Sequence, residues 1–238
     1  MKQLSLRTKA QLISDVFSLS QARYIDPSIA FELAKFLSTE FDYLPWNVFI
    51  NRIKYFTDLL DSSQNYGRLQ LYLSNLVEPY YRNLGWDDDK KQNWLDRSIR
   101  NPVIQFACQQ DLSDCIKRSS AYFKDWISTN DISKANIPTG LRTTVLCSSI
   151  RHGSENEFNF AFNTLNSTKD NALKRDIING LSCSKESWRL KYLLDTQLAD
   201  LNNSVDPLGT INNIAIRSNG YLIAWNGLKD NWNKIYQR

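Results

Sequence analysis

Residues 69–81 read Leu-Gln-Leu-Tyr-Leu-Ser-Asn-Leu-Val-Glu-Pro-Tyr-Tyr, and the spacing of their apolar side chains indicates the fold class. Apolar residues recur three and four positions apart, which is the period of an amphipathic α-helix. They are Leu69, Tyr72, Leu73, Leu76, Val77 and Tyr80. The pattern predicts a long helix that ends near Gly85.

The same period recurs on both sides of this stretch. Upstream stripes comprise Leu12, Ile13, Val16 and Phe17, then Ile29, Leu33, Phe36 and Leu37, then Trp46, Phe49, Ile50, Ile53 and Leu60 after the first-turn proline Pro45. Further stripes follow between Cys115 and Leu228, and alternating runs that would indicate β-strands are absent. With 8 glycines and 6 prolines in the chain, tight turns are few, which also favours long helices.

About a dozen short helices cannot each bury an apolar stripe in a simple four-helix bundle. Stacked antiparallel helical hairpins bury such stripes better. The sequence therefore predicts an all-α fold, an α-solenoid of the HEAT or armadillo kind. No fixed-period consensus is visible, so any repeat is structural and degenerate.

Composition and charge narrow the class of protein. Of the 238 residues, 42% are hydrophobic and 23% are charged, which is ordinary for a soluble globular protein. No linker or low-complexity tract interrupts the chain, so a single helical-repeat domain is predicted over residues 1–238. The net charge of +4 is spread without a basic block, which argues against a nucleic-acid partner. No window reaches the roughly 18 consecutive apolar residues of a membrane span.

The four cysteines fall into two pairs. Cys108 and Cys115 are seven positions apart, and Cys147 and Cys183 are thirty-six apart. Neither spacing suits a zinc site, which needs two cysteines about three positions apart, twice. Both suit disulfides between neighbouring helices, which indicates an oxidising compartment. A cytosolic helical-repeat adaptor with four reduced cysteines is the alternative.

The first residues of the chain do not have the pattern of a secretory signal. Residues 1–7 lack the apolar stretch of a secretory signal. Because disulfides nevertheless indicate export, we expect an internal or carboxy-terminal piece of a larger secreted protein. The triplets 166–168 and 202–204 are glycosylation sequons, so Asn166 and Asn202 are possible glycan acceptors.

The sequence contains few candidate catalytic residues. His152 is the single histidine, so a zinc site of the H-E-x-x-H kind cannot be built here. A Cys147–His152 nucleophile pair is disfavoured, because five positions along a helix do not bring two side chains together. We expect His152 to be an exposed residue at a helix end.

The acidic run 87–89 is predicted on the first turn of the next helix rather than in a calcium loop. The tryptophans are predicted to pack in the core, since most follow helical stripes.

The chain resembles the helical carboxy-terminal domain of zinc aminopeptidases of the aminopeptidase N family, which includes the endoplasmic reticulum aminopeptidases. The matching stretches are T-K-A-Q-L-I-S-D-V-F at 8–17, T-E-F-D-Y-L-P-W at 39–46, L-G-W at 84–86, Y-F-K-D-W at 122–126, C-S-K-E-S-W at 183–188 and N-W-N-K at 231–234. Nearly the whole chain is covered, and both cysteine spacings agree with the pairs of the family.

Three departures accompany the resemblance. The acidic W-D-F motif of the family is Phe158-Asn159-Phe160 here, and Asn101-Pro102 predicts a kink or break before Cys108. The peptide-anchoring G-A-M-E-N and the H-E-x-x-H helix belong to an upstream domain that this chain does not contain. Family members also carry further helices beyond the position that matches Trp232, so the resemblance implies a fragment truncated at both ends.

The resemblance implies a lid. Such a domain encloses the peptide chamber of a zinc aminopeptidase and is inactive alone, with no catalytic or metal-binding residue of its own. Its partners would be the catalytic domain, which holds the zinc, and peptide substrates. The implied location is extracellular, at the cell surface or in the endoplasmic reticulum lumen. The alternative is a free-standing helical-repeat scaffold that binds a protein or peptide in its concave face.

Overall fold

A computed structural model describes residues 4–87, 94–138, 140–199, 201 and 205–237. Over these residues the chain is helical and contains no β-strand, which confirms the all-α class. The α-helices are α1 Leu6–Gln21, α2 Pro27–Ala34, α3 Tyr43–Leu60, α4 Tyr66–Leu84, α5 Trp94–Gln109, α6 Ser113–Thr129, α7 Arg142–His152, α8 Glu155–Ser167, α9 Asn171–Leu181, α10 Ser187–Ala199, α11 Pro207–Ala215, α12 Tyr221–Asp230 and α13 Trp232–Tyr236. A 3-10 helix, Lys35–Thr39, follows α2 directly.

The helices group into two compact units, Met1–Cys115 and Ile116–Arg238, and the boundary falls within α6. In the first unit α1 packs against α2 and α3, and α5 packs against α3 and α4. In the second unit α9 packs against α7 and α8, and α12 packs against α10 and α11. Packing against the adjacent and next-but-one helix is the arrangement of stacked helical hairpins. The single domain over residues 1–238 stays a prediction.

The helix predicted from residues 69–81 is α4. Its buried face consists of Leu69, Leu73, Leu76, Val77, Tyr80, Tyr81 and Leu84. The helix ends before Gly85, which has a φ of 64° and donates its N–H to the carbonyl of Tyr81 at 3.2 Å. A left-handed residue at this position is readily supplied by glycine, which carries no Cβ. The predicted helix end is confirmed.

Of the kink or break predicted at Asn101-Pro102, the break is wrong, because α5 continues from Trp94 through Pro102 to Gln109. A proline inside a helix removes one backbone hydrogen bond and costs about 3 kcal/mol. Buried side chains on both sides of Pro102 offset that cost, since each apolar side chain contributes about 2 kcal/mol on burial. They include Ile99, Val103 and Ile104, all at 0% exposure.

An aromatic cluster forms the centre of the first unit. Phe17 of α1 contacts Phe31, Phe49 and Phe56 with ring centroids 5.6–5.9 Å apart and rings nearly perpendicular. Edge-to-face pairs of this kind add about 1 kcal/mol each beyond area burial. The stripes of α1, α2 and α3 therefore meet in one core.

Candidate functional site

Two disulfides are the covalent features of the chain. Cys108–Cys115 joins the end of α5 to the first turn of α6, and Cys147–Cys183 joins α7 to the segment just after α9. The Cα atoms lie 5.2 Å apart in each pair. All four cysteines are paired in this way, which disagrees with the alternative of four reduced thiols.

The surroundings of the second disulfide include a charged group. The Arg217 Nη2 atom donates to the Cys183 Sγ atom at 3.0 Å. The Asn219 side-chain amide donates to the carbonyls of Ser184 and Lys185 at 3.2 and 2.9 Å. The turn between α11 and α12 thus holds the segment that follows Cys183. Sequence reasoning missed both partners, because they lie 34 to 35 positions from their contacts and form no local pattern.

The segment T-E-F-D-Y-L-P-W contains a buried ion pair. Glu40 is 7% exposed, and its Oε2 atom accepts from the Lys9 Nζ atom at 2.5 Å. The Trp46 indole N–H donates to the Glu40 carbonyl at 2.7 Å. Both contacts fix the turn between the 3-10 helix and α3, and Lys9 connects that turn to α1.

The pKa values of the two carboxyl groups of this segment, Glu40 and Asp42, are shifted in opposite directions. Burial by itself would raise the pKa of Glu40, but hydrogen bonds from Lys9 and Asp42 outweigh burial and lower it. Desolvation, followed by the hydrogen bond with Glu40 and then the charge of Glu40, raises the pKa of Asp42. The contacts of Glu40 therefore favour its charged form, whereas the surroundings of Asp42 favour its neutral form. This arrangement stabilises a turn and presents no nucleophile.

The L-G-W motif ends α4 in a second polar network. The Trp86 indole N–H donates to the Tyr81 hydroxyl at 2.7 Å, and that hydroxyl donates to the Asp114 Oδ2 atom at 2.7 Å. Trp86 and Tyr81 are 3% and 2% exposed. The network connects the carboxy-terminal end of α4 to the first turn of α6, next to the Cys108–Cys115 disulfide.

Aromatic side chains cover one side of α8 and α10. The Arg189 guanidinium lies 5.3 Å from the ring centroids of both Phe158 and Trp188, a cation–π geometry. One turn further, Phe162 and Tyr192 have centroids 4.8 Å apart. Phe158, the first residue of the departure from the W-D-F motif, is therefore a buried packing residue here.

The prediction that the tryptophans lie in the core is right for Trp46, Trp86 and Trp126. It is wrong for the others, which are more than half exposed: Trp94, Trp188, Trp225 and Trp232. Helical period locates the centre of an apolar stripe but not its width, so residues at the stripe margin follow the period and still face solvent.

The other predicted site residues are His152, Asn166, Asn202 and the acidic run 87–89. His152 ends α7 and is half-buried, so the prediction that it is exposed is wrong. Asn166 is exposed in the last turn of α8. Asn202 lies outside the described residues, as do the last two positions of the acidic run 87–89.

The part of the chain that the structure describes offers neither a cluster of metal ligands nor a membrane-spanning helix. There, His, Cys, Asp and Glu side chains form no group of three or more that could hold a metal ion. Over the same residues, every helix is too short or too polar to cross a bilayer.

The family profile and the curated relatives agree on the family of this chain. The profile of the ERAP1-like C-terminal domain matches residues 1–238. Aminopeptidase N of Bos taurus is 30% identical over 235 residues, covering 96% of this chain and 24% of its own length. Aminopeptidase N of Oryctolagus cuniculus is 32% identical with the same coverage. The thyrotropin-releasing hormone-degrading ectoenzyme of Rattus norvegicus is 28% identical, covering 99% of this chain and 22% of its own length.

The chain thus spans about a quarter of the length of the curated relatives that it matches. The resemblance read from the short motifs is confirmed. Together, the two disulfides and the similarity to aminopeptidase N indicate an extracellular or secretory-pathway location.

Proposed function

Because the chain belongs to the ERAP1-like C-terminal domain family, we propose that it is the non-catalytic lid of a zinc aminopeptidase that removes amino-terminal residues from peptides. The lid encloses the substrate chamber of the catalytic domain and is inactive alone. The zinc ion and its ligands belong to the catalytic domain, which is the partner of this chain. The observation that carries the proposal is the family match over the whole chain.

The architecture within each unit supports a lid. Helices that contact only nearby helices form a wall whose curvature changes by small adjustments at many interfaces. Each unit also contains one disulfide and its own buried polar contacts, including Lys9–Glu40 in the first and Arg217–Cys183 in the second. These contacts keep such a wall in shape while it closes over a peptide.

The first test is enzymatic. The purified oxidised chain is incubated with the chromogenic amides of leucine and alanine, with and without added zinc, beside an active aminopeptidase N as control. We expect release of chromophore by the control only. Zinc-dependent turnover by the chain would contradict the proposal.

The second test separates a lid from a free-standing scaffold. The transcript is sequenced upstream of codon 1, and the encoded protein is expressed with and without residues 1–238. An H-E-x-x-H helix in the same reading frame, together with a larger loss of kcat/KM on long peptides than on single-residue amides after deletion, supports the lid. A transcript that encodes this chain without any zinc-binding helix supports the scaffold.

The location at the cell surface or in the endoplasmic reticulum lumen predicts glycosylation. Asn166 is exposed at the end of α8, where the chain leaves the helix and a glycan finds room. Expressed through the secretory pathway, the chain should gain electrophoretic mobility on treatment with an N-glycosidase. The Asn166→Gln variant should lose one glycan, and Asn202→Gln tests the second sequon in the same way. An unchanged mobility for wild type after treatment would contradict the proposal.

A further inference from the structure

The Cys147–Cys183 disulfide differs from Cys108–Cys115 in its surroundings. Both residues of the shorter disulfide are buried, at 5% and 0% exposure. Cys183 is also buried, at 3%, but Cys147 is only half-buried. Cys147 is therefore the most exposed residue among the four cysteines.

The second difference is the charge beside one sulfur. The Arg217 Nη2 atom lies 3.0 Å from the Cys183 Sγ atom. A thiolate next to a guanidinium is stabilised, and a sulfur that is stable as a thiolate is a better leaving group in disulfide exchange. Two features act in the opposite direction. Cys183 follows the carboxy-terminal end of α9, and its Sγ atom lies 3.4 Å from the carbonyl of Asn179.

The guanidinium prevails over these two features. It carries a full unit of charge at 3.0 Å, whereas a helix end carries about half a unit spread over several carbonyls. Cys183 is therefore the sulfur that leaves, and Cys147 is the sulfur that an incoming thiol attacks. Exchange needs an exposed cysteine to attack and a stabilised leaving group. Cys147 is the more exposed residue of this pair, and Cys183 is the one beside the guanidinium.

We propose that Cys147 is a modification site that accepts a small thiol of the glutathione class by thiol–disulfide exchange. The thiolate of the incoming molecule attacks the Cys147 Sγ atom and forms a new S–S bond. The Cys147–Cys183 bond breaks, and its electron pair leaves with the Cys183 Sγ atom as a thiolate beside Arg217. The thiolate can return to expel the small thiol, or a second small thiol can remove the first as its own disulfide.

The exchange removes the covalent link between α7 and α9 and leaves their packing contacts in place. It acts on the second unit alone and does not depend on the lid proposal. A failure of the experiment below would leave the family assignment and the test with chromogenic amides untouched.

The experiment uses the whole oxidised chain. The chain is incubated with reduced glutathione, quenched with acid and iodoacetamide at several times, and mapped by mass spectrometry without reductant. We expect glutathione on Cys147, the alkyl label on Cys183 and an intact Cys108–Cys115 disulfide. Glutathione mainly on Cys183, or opening of the shorter disulfide at the same rate, would overturn the proposal.

Variants isolate the role of the charge. We expect Arg217→Gln to slow the exchange about fivefold, because the leaving thiolate loses its partner, and Arg217→Lys to retain most of the rate. Arg175→Gln is the matched control, since it removes the same charge from an exposed position on α9. An Arg217→Gln rate equal to or faster than that of the control contradicts the proposal. Circular dichroism checks that each variant is folded. If a variant does not fold, the mapping of the wild-type chain still tests the proposal.

Discussion

Glu40 has a lowered pKa although it is 7% exposed, because Lys9 lies against its carboxylate. Burial alone would favour the neutral acid, so the sign of the shift reports that the ion pair outweighs desolvation. A group with a lowered folded-state pKa stabilises the protein above its unfolded pKa, which is about 4.3 for glutamate. That stabilisation is lost as the pH falls through the folded-state pKa.

At the residue scale we predict that Glu40→Gln lowers the free energy of unfolding by about 3 kcal/mol at pH 7, because Lys9 is left charged and mostly buried. The difference from wild type should start to shrink as the pH falls below the unfolded-state pKa of about 4.3, and it should vanish only below the lowered folded-state pKa, where Glu40 is neutral in both states. Urea unfolding at pH 7 and at acidic pH measures both values.

The control for this prediction is Glu32→Gln. Glu32 pairs with Lys35 at 2.5 Å, the same distance, but both side chains are more than half exposed. Water screens such a pair, so the change should stay below about 1 kcal/mol at either pH. Equal effects of the two substitutions would show that burial does not strengthen the Lys9–Glu40 pair.

At the scale of helices, the crossing of α7 and α9 depends on one glycine. A Cβ atom at Gly180 would lie 2.6 Å from the Cβ atom of Leu146, which is closer than side-chain atoms pack. That Cβ atom is bonded directly to the backbone of α7 and cannot rotate away, so the two helices would have to separate. The absence of a side chain at Gly180 thus sets how closely α7 and α9 approach.

We predict that Gly180→Ala lowers the free energy of unfolding by about 1–2 kcal/mol, because overpacking outweighs the better helix propensity of alanine. Gly67→Ala is the matched control, since nothing lies within 4 Å of the added Cβ in the first turn of α4. That control should raise the stability by about 0.5 kcal/mol. Thermal and urea unfolding of both variants give the comparison, and equal stabilities would contradict the close crossing.

At the scale of the whole molecule, each compact unit contains one disulfide, and the two close loops of different length. The sequence separations are 7 and 36 residues. Constraining a longer loop removes more conformational entropy from the unfolded chain. The two covalent links therefore differ in how much they stabilise the fold.

We predict that replacing Cys147 and Cys183 by serine lowers the free energy of unfolding by about 4 kcal/mol, and that replacing Cys108 and Cys115 lowers it by about 2.5 kcal/mol. Urea unfolding of the two double variants tests the order. A larger loss for the shorter loop would mean that native contacts around Cys108–Cys115, rather than loop length, determine the effect.

Only some of the features discussed above could be predicted from the sequence. The two cysteine pairs were readable from their spacing and their agreement with the family. The partners Lys9 of Glu40 and Arg217 of Cys183 were not, because each lies more than 30 positions away and no periodic signal relates them. The continuity of α5 through Pro102 was also missed, since its cause is burial by neighbouring helices.

The sequence alone determined the helical class and the end of α4, because apolar period and a glycine after the last turn act locally along the chain. Tertiary structure alone decided in which direction the pKa of each carboxyl group is shifted, which tryptophans face solvent and which sulfur lies against a guanidinium. These properties depend on atoms brought together from distant positions, and their energies arise from desolvation and packing that exist only after the helices meet.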